Sequence, residues 1–242
     1  MVYKEWRQLR LKMLMLAGIY TLIGVLVYVT QITIVHSYNT PPMLLRWFNY
    51  SFFATIGAAV FFGVDIIAEE KNSGTLGFLL ARPISRSRIY LTKILLNLCG
   101  LAVIFLVSSV ILFFINTIPK AITLEEYQQI DGIYTIMPPV QIYLNPVGFG
   151  YALDKTAVTL ILGLCFVCIS GLISIFARTL LESLSLNVVI VAVLFLSLNA
   201  RHAAPYYLEI ENQNELFIIV SMALLTVWFL WAGLFFFQRK EF

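Results

Sequence analysis

The chain has 242 residues, of which 60% are hydrophobic and 12% are charged, about half the charged fraction of an ordinary soluble domain. So few charged side chains cannot coat a water-soluble fold of this size, and a net charge of +3 is too small to indicate a nucleic-acid-binding protein. The composition excludes both classes and predicts that the apolar excess faces lipid.

Six apolar segments are long enough to cross a bilayer as helices, because a hydrocarbon core about 30 Å thick requires roughly 20 helical residues. We predict spans over residues 13–35, 47–68, 89–116, 156–177, 183–199 and 216–237. Residues 132–153 also lack charge, but their prolines would leave backbone groups unpaired in lipid. We interpret that stretch as part of an external loop or as a shallow re-entrant piece.

Basic residues are divided unequally between the two sides of a six-span bundle. Twelve of the sixteen lie on the side that holds both termini. Since cytoplasmic loops are enriched in Lys and Arg, we expect both termini in the cytoplasm. Ahead of the first span, Trp6 and Leu9 recur at helical spacing while Lys4, Arg7 and Arg10 occupy the other face. This pattern favours an interfacial helix over residues 1–12, and plain flanking charge is the alternative.

Residues that carry catalysis or bind metals are sparse. His36 and His202 stand alone, and Cys165 and Cys168 form a C-x-x-C pair with no second pair to complete a zinc site. The sequence contains no G-x-x-x-x-G-K-[ST] loop, so it cannot hold nucleotide phosphates in that manner. We expect no catalytic, cofactor or metal site in this chain.

Asp65 is the acidic residue inside a predicted span, and an ionisable group within a membrane is a functional candidate by default. Glu69, Glu70 and Lys71 follow within about two turns, which places Asp65 near the membrane surface. A structural or coupling role is therefore favoured over a transport site.

Pairs of small residues four positions apart predict close helix contacts. Ala59 with Gly63 forms such a pair on the second span, and Ser170 with Ser174 forms one on the fourth. The sequence leaves open whether these residues pack within one chain or form a dimer seam.

The segment between the second and third spans predicts a short helix at the cytoplasmic surface. Asn72 or Ser73 is suited to cap its start, and Pro83 is suited to end it. Its apolar face consists of Leu76, Leu79 and Leu80. Since a two-turn helix is unstable by itself, we expect this face to rest on lipid headgroups or to fill a groove in a soluble partner.

This segment resembles the first cytoplasmic loop of ABC-2 type permeases, the membrane subunits of ABC exporters. The shared pattern is an acidic pair, Gly-Thr-Leu, paired leucines, Arg-Pro and Ser-Arg. The matching residues, to which the resemblance assigns coupling with an ATPase, are Glu69, Glu70, Gly74, Thr75, Leu76, Leu79, Leu80, Arg82, Pro83 and Arg86.

The resemblance implies an all-α integral membrane protein with six transmembrane helices. It implies one permease domain over residues 1–242, with a cytoplasmic coupling loop over 69–88 and an external loop over 117–155. The implied partners are two copies of an ABC ATP-binding subunit, which bind ATP and Mg²⁺, and a second permease subunit that is identical or different. The implied location is the plasma membrane of a prokaryote.

The implied function is ATP-driven transport by alternating access, with the short helix as the lever. Because the spans carry only scattered amides, we favour export of a hydrophobic or amphiphilic substrate. The alternatives are an integral-membrane enzyme acting on lipid or peptide, and a non-transporting sensor or immunity protein.

Overall fold

The computed structural model describes residues 2–33, 43–81, 85–117, 121–124, 127–130, 133–136, 140–143, 149–201 and 215–240. These residues form seven helices and four short strands. The helices are α1 (Val2–Thr33), α2 (Met43–Asn72), α3 (Leu76–Leu80), α4 (Arg86–Thr117), α5 (Phe149–Phe176), α6 (Leu180–Arg201) and α7 (Glu215–Arg239). The strands are β1 (Ala121–Leu124), β2 (Tyr127–Ile130), β3 (Ile133–Ile136) and β4 (Val140–Tyr143).

Over the residues that the structure describes, five helices are long and apolar enough to cross a membrane. Their apolar stretches are Leu9–Val29, Tyr50–Asn72, Arg86–Ile115, Ala152–Phe176 and Ile219–Arg239. They correspond to the first, second, third, fourth and sixth predicted spans. The fifth predicted span, residues 183–199, lies in α6, whose apolar stretch within the described residues is Leu180–Val193. The count of six spans therefore stays a prediction.

The N-terminal part of α1 corrects one expectation. α1 runs without interruption from Val2 to Thr33, so the part of the predicted interfacial helix that is described, residues 2–12, belongs to the same helix as the first span. The sequence has no proline in this stretch and no glycine before Gly18, so nothing stops the helix at the start of the span. Leu9 is buried in the core, which joins the basic first turns of α1 to the bundle.

The connection between α4 and α5 contains four short strands, which are an addition to the predicted helical fold. β1 pairs antiparallel with β4, and β2 pairs antiparallel with β3, so one two-stranded ladder encloses the other in sequence. The predicted loop over 117–155 also ends too late, because α5 begins at Phe149 and Lys155 is buried within it. Charge spacing placed the start of the span after Lys155, but a buried lysine does not interrupt a helix.

The centre of the bundle is the contact between α2 and α5. A Cβ added at Gly63 would lie 2.3 Å from the Ser170 Cβ and 2.9 Å from the Val167 carbonyl oxygen, so only glycine fits there. Farther along the same pair of helices, a Cβ at Gly163 would lie 2.6 Å from the Thr55 Cγ2. The small residues therefore pack α2 against α5 within one chain, which resolves the question that the sequence left open.

Candidate functional site at the α3 end of the bundle

The turn from α2 into α3 is a Schellman motif, which satisfies the last carbonyls of a helix. The Gly74 N–H donates to the Lys71 carbonyl at 3.1 Å, and the Thr75 N–H donates to the Glu70 carbonyl at 3.0 Å. Gly74 has a φ of 70°, a left-handed conformation that glycine adopts without steric cost. This glycine therefore sets the direction in which the chain leaves α2.

The start of α3 differs from the predicted cap. Thr75, not Asn72 or Ser73, occupies the N-cap position, and its side chain makes no capping hydrogen bond. Its hydroxyl instead donates to the Glu70 carboxylate and lies 2.8 Å from the Ser73 hydroxyl. The side chain of Thr75 thus holds α3 to the last turn of α2.

The leucine face of α3 is turned inward. Leu76 and Leu79 are 6% and 8% exposed and belong to the hydrophobic core, and the half-buried Leu80 packs against it. The expectation that these leucines fill a groove in a partner is therefore wrong for this structure, because the bundle itself occupies them. Where the structure describes the side chains of this segment, the outward ones are small or polar instead. The outward residues are Asn72, Ser73, Gly74, Thr75, Gly77, Ala81 and Ser85.

A buried ion pair lies at the base of this segment. The Lys93 Nζ on α4 is 3.2 Å from the Glu70 Oε1, and both side chains are buried. Asn97, one turn further along α4, donates from its amide nitrogen to the Lys93 carbonyl at 3.0 Å. Glu70 therefore links the segment to α4 through Lys93 and to α3 through Thr75.

A second ion pair joins α1 to α2. Lys12 contacts the Asp65 Oδ2, and its ammonium also lies 5.5 Å from the centre of the Phe62 ring. Beside this pair is a polar cavity of about 20 Å³, the size of one water molecule. Its lining consists of Leu9, Lys12, Asp65, Ile66, Glu69, Lys93, Leu96 and Asn97. Lys12, Asp65 and Lys93 thus face one cavity between α1, α2 and α4.

The carboxyl end of α5 is bound by two lysines from other helices. The Lys71 Nζ donates to the carbonyls of Ser174, Ile175 and Ala177 at 3.2, 2.5 and 2.7 Å. The Lys240 Nζ donates to the same Ile175 carbonyl at 2.6 Å. Ammonium groups at this position satisfy helix-end carbonyls and the negative end of the helix dipole.

Two further hydrogen bonds fasten α7 to the start of α4. Arg86 donates to the Lys240 carbonyl at 2.8 Å, and the Gln238 amide nitrogen donates to the Ser87 hydroxyl at 2.6 Å. α7 therefore contributes to the same end of the bundle as α2, α3 and α4.

Most of the residues predicted for coupling lie together at this end. Glu69 lines the small cavity, and Glu70, Gly74, Thr75 and Arg86 lie in the contacts given above. The predicted residues Arg82 and Pro83, and both histidines, lie outside the described residues. Sequence reasoning did not identify Lys12 and Lys93 as ion-pair partners of Asp65 and Glu70, or Lys71 as a donor to the end of α5. A lysine near the end of an apolar helix is nevertheless a signal for such a contact.

The buried C-x-x-C pair lies apart from this site. Cys165 and Cys168 are buried thiols in the middle of α5. Over the residues that the structure describes, His, Cys, Asp and Glu side chains form no group of three able to hold a metal ion.

Comparison with known proteins gives one match and one negative result. The search of curated proteins finds none that matches. The family model described as ABC-2 family transporter protein matches residues 8–216, which is most of the chain and includes α3 with both its flanking spans. The protein therefore belongs to the ABC-2 transporter family and is a multi-pass membrane permease of the ABC transporter type, a class of subunit that works with an ABC ATP-binding partner.

Proposed function

We propose that this permease exports a hydrophobic or amphiphilic substrate by alternating access, driven by two copies of a separate ABC ATP-binding subunit. In this proposal it pairs with a second permease subunit in the plasma membrane of a prokaryote, with both termini and α3 on the cytoplasmic side. The ATP-binding subunits bind ATP and Mg²⁺, and this chain contacts them through the outward surface of α3.

The construction of the α3 segment carries the proposal. Leu76 and Leu79 are fixed in the core, while Thr75, Gly77 and Ala81 are small and exposed to the outside. A segment with a buried anchor and an exposed, closely approachable surface is suited to receive a partner without losing its own fold. Exposed Arg86 and Arg88 flank it, so we expect acidic residues at the rim of the partner's docking site.

The ion pairs supply a route from that surface to the spans. Thr75 is bonded to Glu70, Glu70 is paired with Lys93 on α4, and α2 and α4 are the two helices that α3 connects. Displacement of α3 by a closing pair of ATP-binding subunits would therefore move α2 and α4 together. Rigid-body movement of helices about a fixed contact is an established form of switching.

A groove between α1 and α4 supports an amphiphilic substrate. It has a cavity volume of about 300 Å³, within the range of small-molecule pockets. Its lining is apolar apart from the hydroxyls of Thr21, Tyr28, Ser108 and the buried Tyr20, which bonds Thr55 at 2.7 Å. An alkyl chain with a weakly polar group matches such a lining better than an inorganic ion does.

Gly77 offers a sharp test of docking. It is exposed, and a Cβ added there meets no atom within 4 Å, so Gly77→Trp should fold and should obstruct only a partner. Gly77→Ala is the matched control, since it changes the same backbone position by one small group. We expect the co-expressed ABC ATP-binding subunit to co-purify with wild type and Gly77→Ala and to be lost from Gly77→Trp.

The proposal fails if wild type recruits no ATP-binding subunit, or if Gly77→Trp retains it as fully as Gly77→Ala does. For the substrate, we expect Ser108→Trp to reduce ATP-dependent export of a fluorescent alkylamine from cells, whereas Val107→Trp on the exposed face should not. Obligatory export of an inorganic ion would contradict the substrate class. A complex that hydrolyses ATP and exports nothing would favour a sensor or immunity role.

A further inference from the structure

Five basic residues gather where the carboxyl ends of α2, α5 and α7 meet the start of α4. We call them the basic corner: Lys71, Arg86, Arg178, Arg239 and Lys240. Two of them are fixed by the carbonyls at the end of α5, with Lys71 bonded to Ala177 and Lys240 bonded to Ile175. Arg178 and Arg239 are exposed.

Positive charge predominates at this corner among the residues that the structure describes. Glu182 is an acidic group that acts on Lys240, and its carboxylate also accepts the Arg178 backbone N–H at 2.7 Å. Arg178 and Arg239 are both exposed here, so their guanidinium groups are accessible from outside the bundle. The carboxyl end of α5 adds only part of a negative charge. The corner is an attractive site for an anion.

An aromatic surface continues from the basic corner along the membrane-spanning part of α5 and α7. The Arg239 guanidinium lies 4.1 Å from the centre of the Phe235 ring, and the Lys240 ammonium lies 5.1 Å from that of Phe176. Phe176 in turn contacts Phe236, with ring centres 5.2 Å apart. Phe176, Phe236 and Trp231, which stacks on Phe235, are exposed large hydrophobic side chains.

We propose that the basic corner and this aromatic surface together bind an anionic phospholipid, with the phosphate held by Arg178 and Arg239 and an acyl chain lying on Phe176, Phe236 and Trp231. Cations at the membrane surface attract anionic headgroups, and aromatic side chains favour the adjoining interface. Lys71 and Lys240 strengthen the positive potential while they hold the helix ends in place.

The aromatic part of the site favours a lipid over an acidic protein partner. Trp231 and Phe235 lie in the apolar stretch Ile219–Arg239, which is a candidate membrane span. A water-soluble partner at the bundle end can reach the arginines but not rings that face the bilayer. A phospholipid contacts both groups of residues, because its charged headgroup lies at the level of the arginines and its acyl chains lie at the level of the rings.

The test measures binding of dioleoylphosphatidylglycerol to the full chain in a neutral detergent, by native mass spectrometry, with dioleoylphosphatidylcholine as the neutral comparison. The variant is Arg178→Gln with Arg239→Gln. Each basic residue near an anionic surface contributes about a fivefold factor, so this variant should bind the anionic lipid about 25-fold more weakly. The matched control is Arg7→Gln with Arg10→Gln, which removes two exposed charges from α1.

We expect the control to bind as wild type does, and Arg178→Lys with Arg239→Lys to restore most of the binding. Trp231→Ala should weaken both lipids, because it removes apolar contact and no charge. The proposal is overturned if wild type does not prefer the anionic lipid, or if the control loses as much binding as the variant. It is also overturned if the variant keeps its lipid but loses the ATP-binding subunit, since the corner would then be a protein docking surface.

Discussion

Glu70 and Lys93 form an ion pair of 3.2 Å whose two side chains are only 2% and 3% exposed, joining the last turns of α2 to the start of α4. The pair spans the two helices that α3 connects. Burying both charges is costly, and their mutual attraction and the hydrogen bonds around them offset that cost. The pair therefore fixes the geometry of the α3 segment more than it adds to stability.

Removal of one partner of this pair should be more damaging than removal of both. Lys93→Met leaves the Glu70 carboxylate buried without its cation, so we expect a loss of about 3–5 kcal/mol in unfolding free energy. In the double variant Glu70→Gln with Lys93→Met, no charge is left buried and most of that loss should be recovered. Thermal unfolding in detergent of wild type, Glu70→Gln, Lys93→Met and the double variant gives the coupling energy between the two side chains. Additive single effects would contradict a direct interaction.

The contact between α2 and α5 predicts a strong dependence on side-chain volume at Gly63. Gly63→Ala would place its Cβ 2.3 Å from the Ser170 Cβ, so the helices must separate, at a cost of about 1–3 kcal/mol. Gly57→Ala, on the same helix, meets no atom within 4 Å and should leave stability unchanged or slightly raised. Combining Gly63→Ala with Ser170→Gly should restore part of the loss, the remainder reflecting the Val167 carbonyl.

The spans could be predicted from the sequence because length and hydropathy alone decide whether a helix can cross a bilayer. Their exact ends could not, since Lys155 and Lys71 are charged residues that the fold accommodates through burial or carbonyl contacts. Hydropathy alone ends a span at a charged residue, whereas in this bundle Lys155 and Lys71 lie at contacts between helices.

The candidate site shows a similar division. The spacing of Leu76, Leu79 and Leu80 predicts a short helix in this segment, and α3 lies there. The direction of Leu76 and Leu79 could not be read from the segment, since an apolar face looks the same whether it meets its own bundle or a partner. The partner of Asp65, Lys12, is 53 positions away, and no local pattern connects the two.

The turn between α2 and α3 should depend on Gly74. Gly74→Ala places a Cβ on a residue with φ of 70°, which costs roughly 1–2 kcal/mol for an L-residue. Gly74→Asn should cost less, because Asn tolerates the left-handed region better. Protease accessibility of the segment, compared between these variants and Gly77→Ala, is the measurement. Equal effects of alanine at positions 74 and 77 would contradict the role of the left-handed turn.

The contact of Lys240 with α5 predicts a pH dependence. Burial lowers the pKa of Lys240 below its usual value of 10.5, and the Glu182 carboxylate opposes that shift. Between the lowered pKa and 10.5 the unfolded chain binds more protons than the folded one, so this lysine makes stability rise with pH. Below that window the destabilisation caused by burying the charged Lys240 does not change with pH. The stability of wild type relative to Lys240→Met should therefore increase as the pH rises through the window. The measurement is the difference between their unfolding temperatures as a function of pH.

Glu182→Gln provides the control for that titration. Loss of the carboxylate removes the opposing influence and should lower the pKa of Lys240 further. In Glu182→Gln the stability should therefore begin to rise with pH at a lower pH than in wild type. A difference between wild type and Lys240→Met that stays constant with pH would show that the lysine does not titrate differently on folding.

The ion pair between Lys12 and Asp65 predicts that Asp65 has a structural role and not a role in moving substrate. Asp65→Asn leaves the Lys12 ammonium beside Phe62 without its charge partner, so we expect lower stability and weaker export in parallel. The exchanged variant, Lys12→Asp with Asp65→Lys, keeps one charge of each sign across α1 and α2 and should recover much of both. A residue that binds substrate or protons on the transport path would not be replaceable by lysine. Export that stays abolished in an exchanged variant of restored stability would therefore return Asp65 to the transport path.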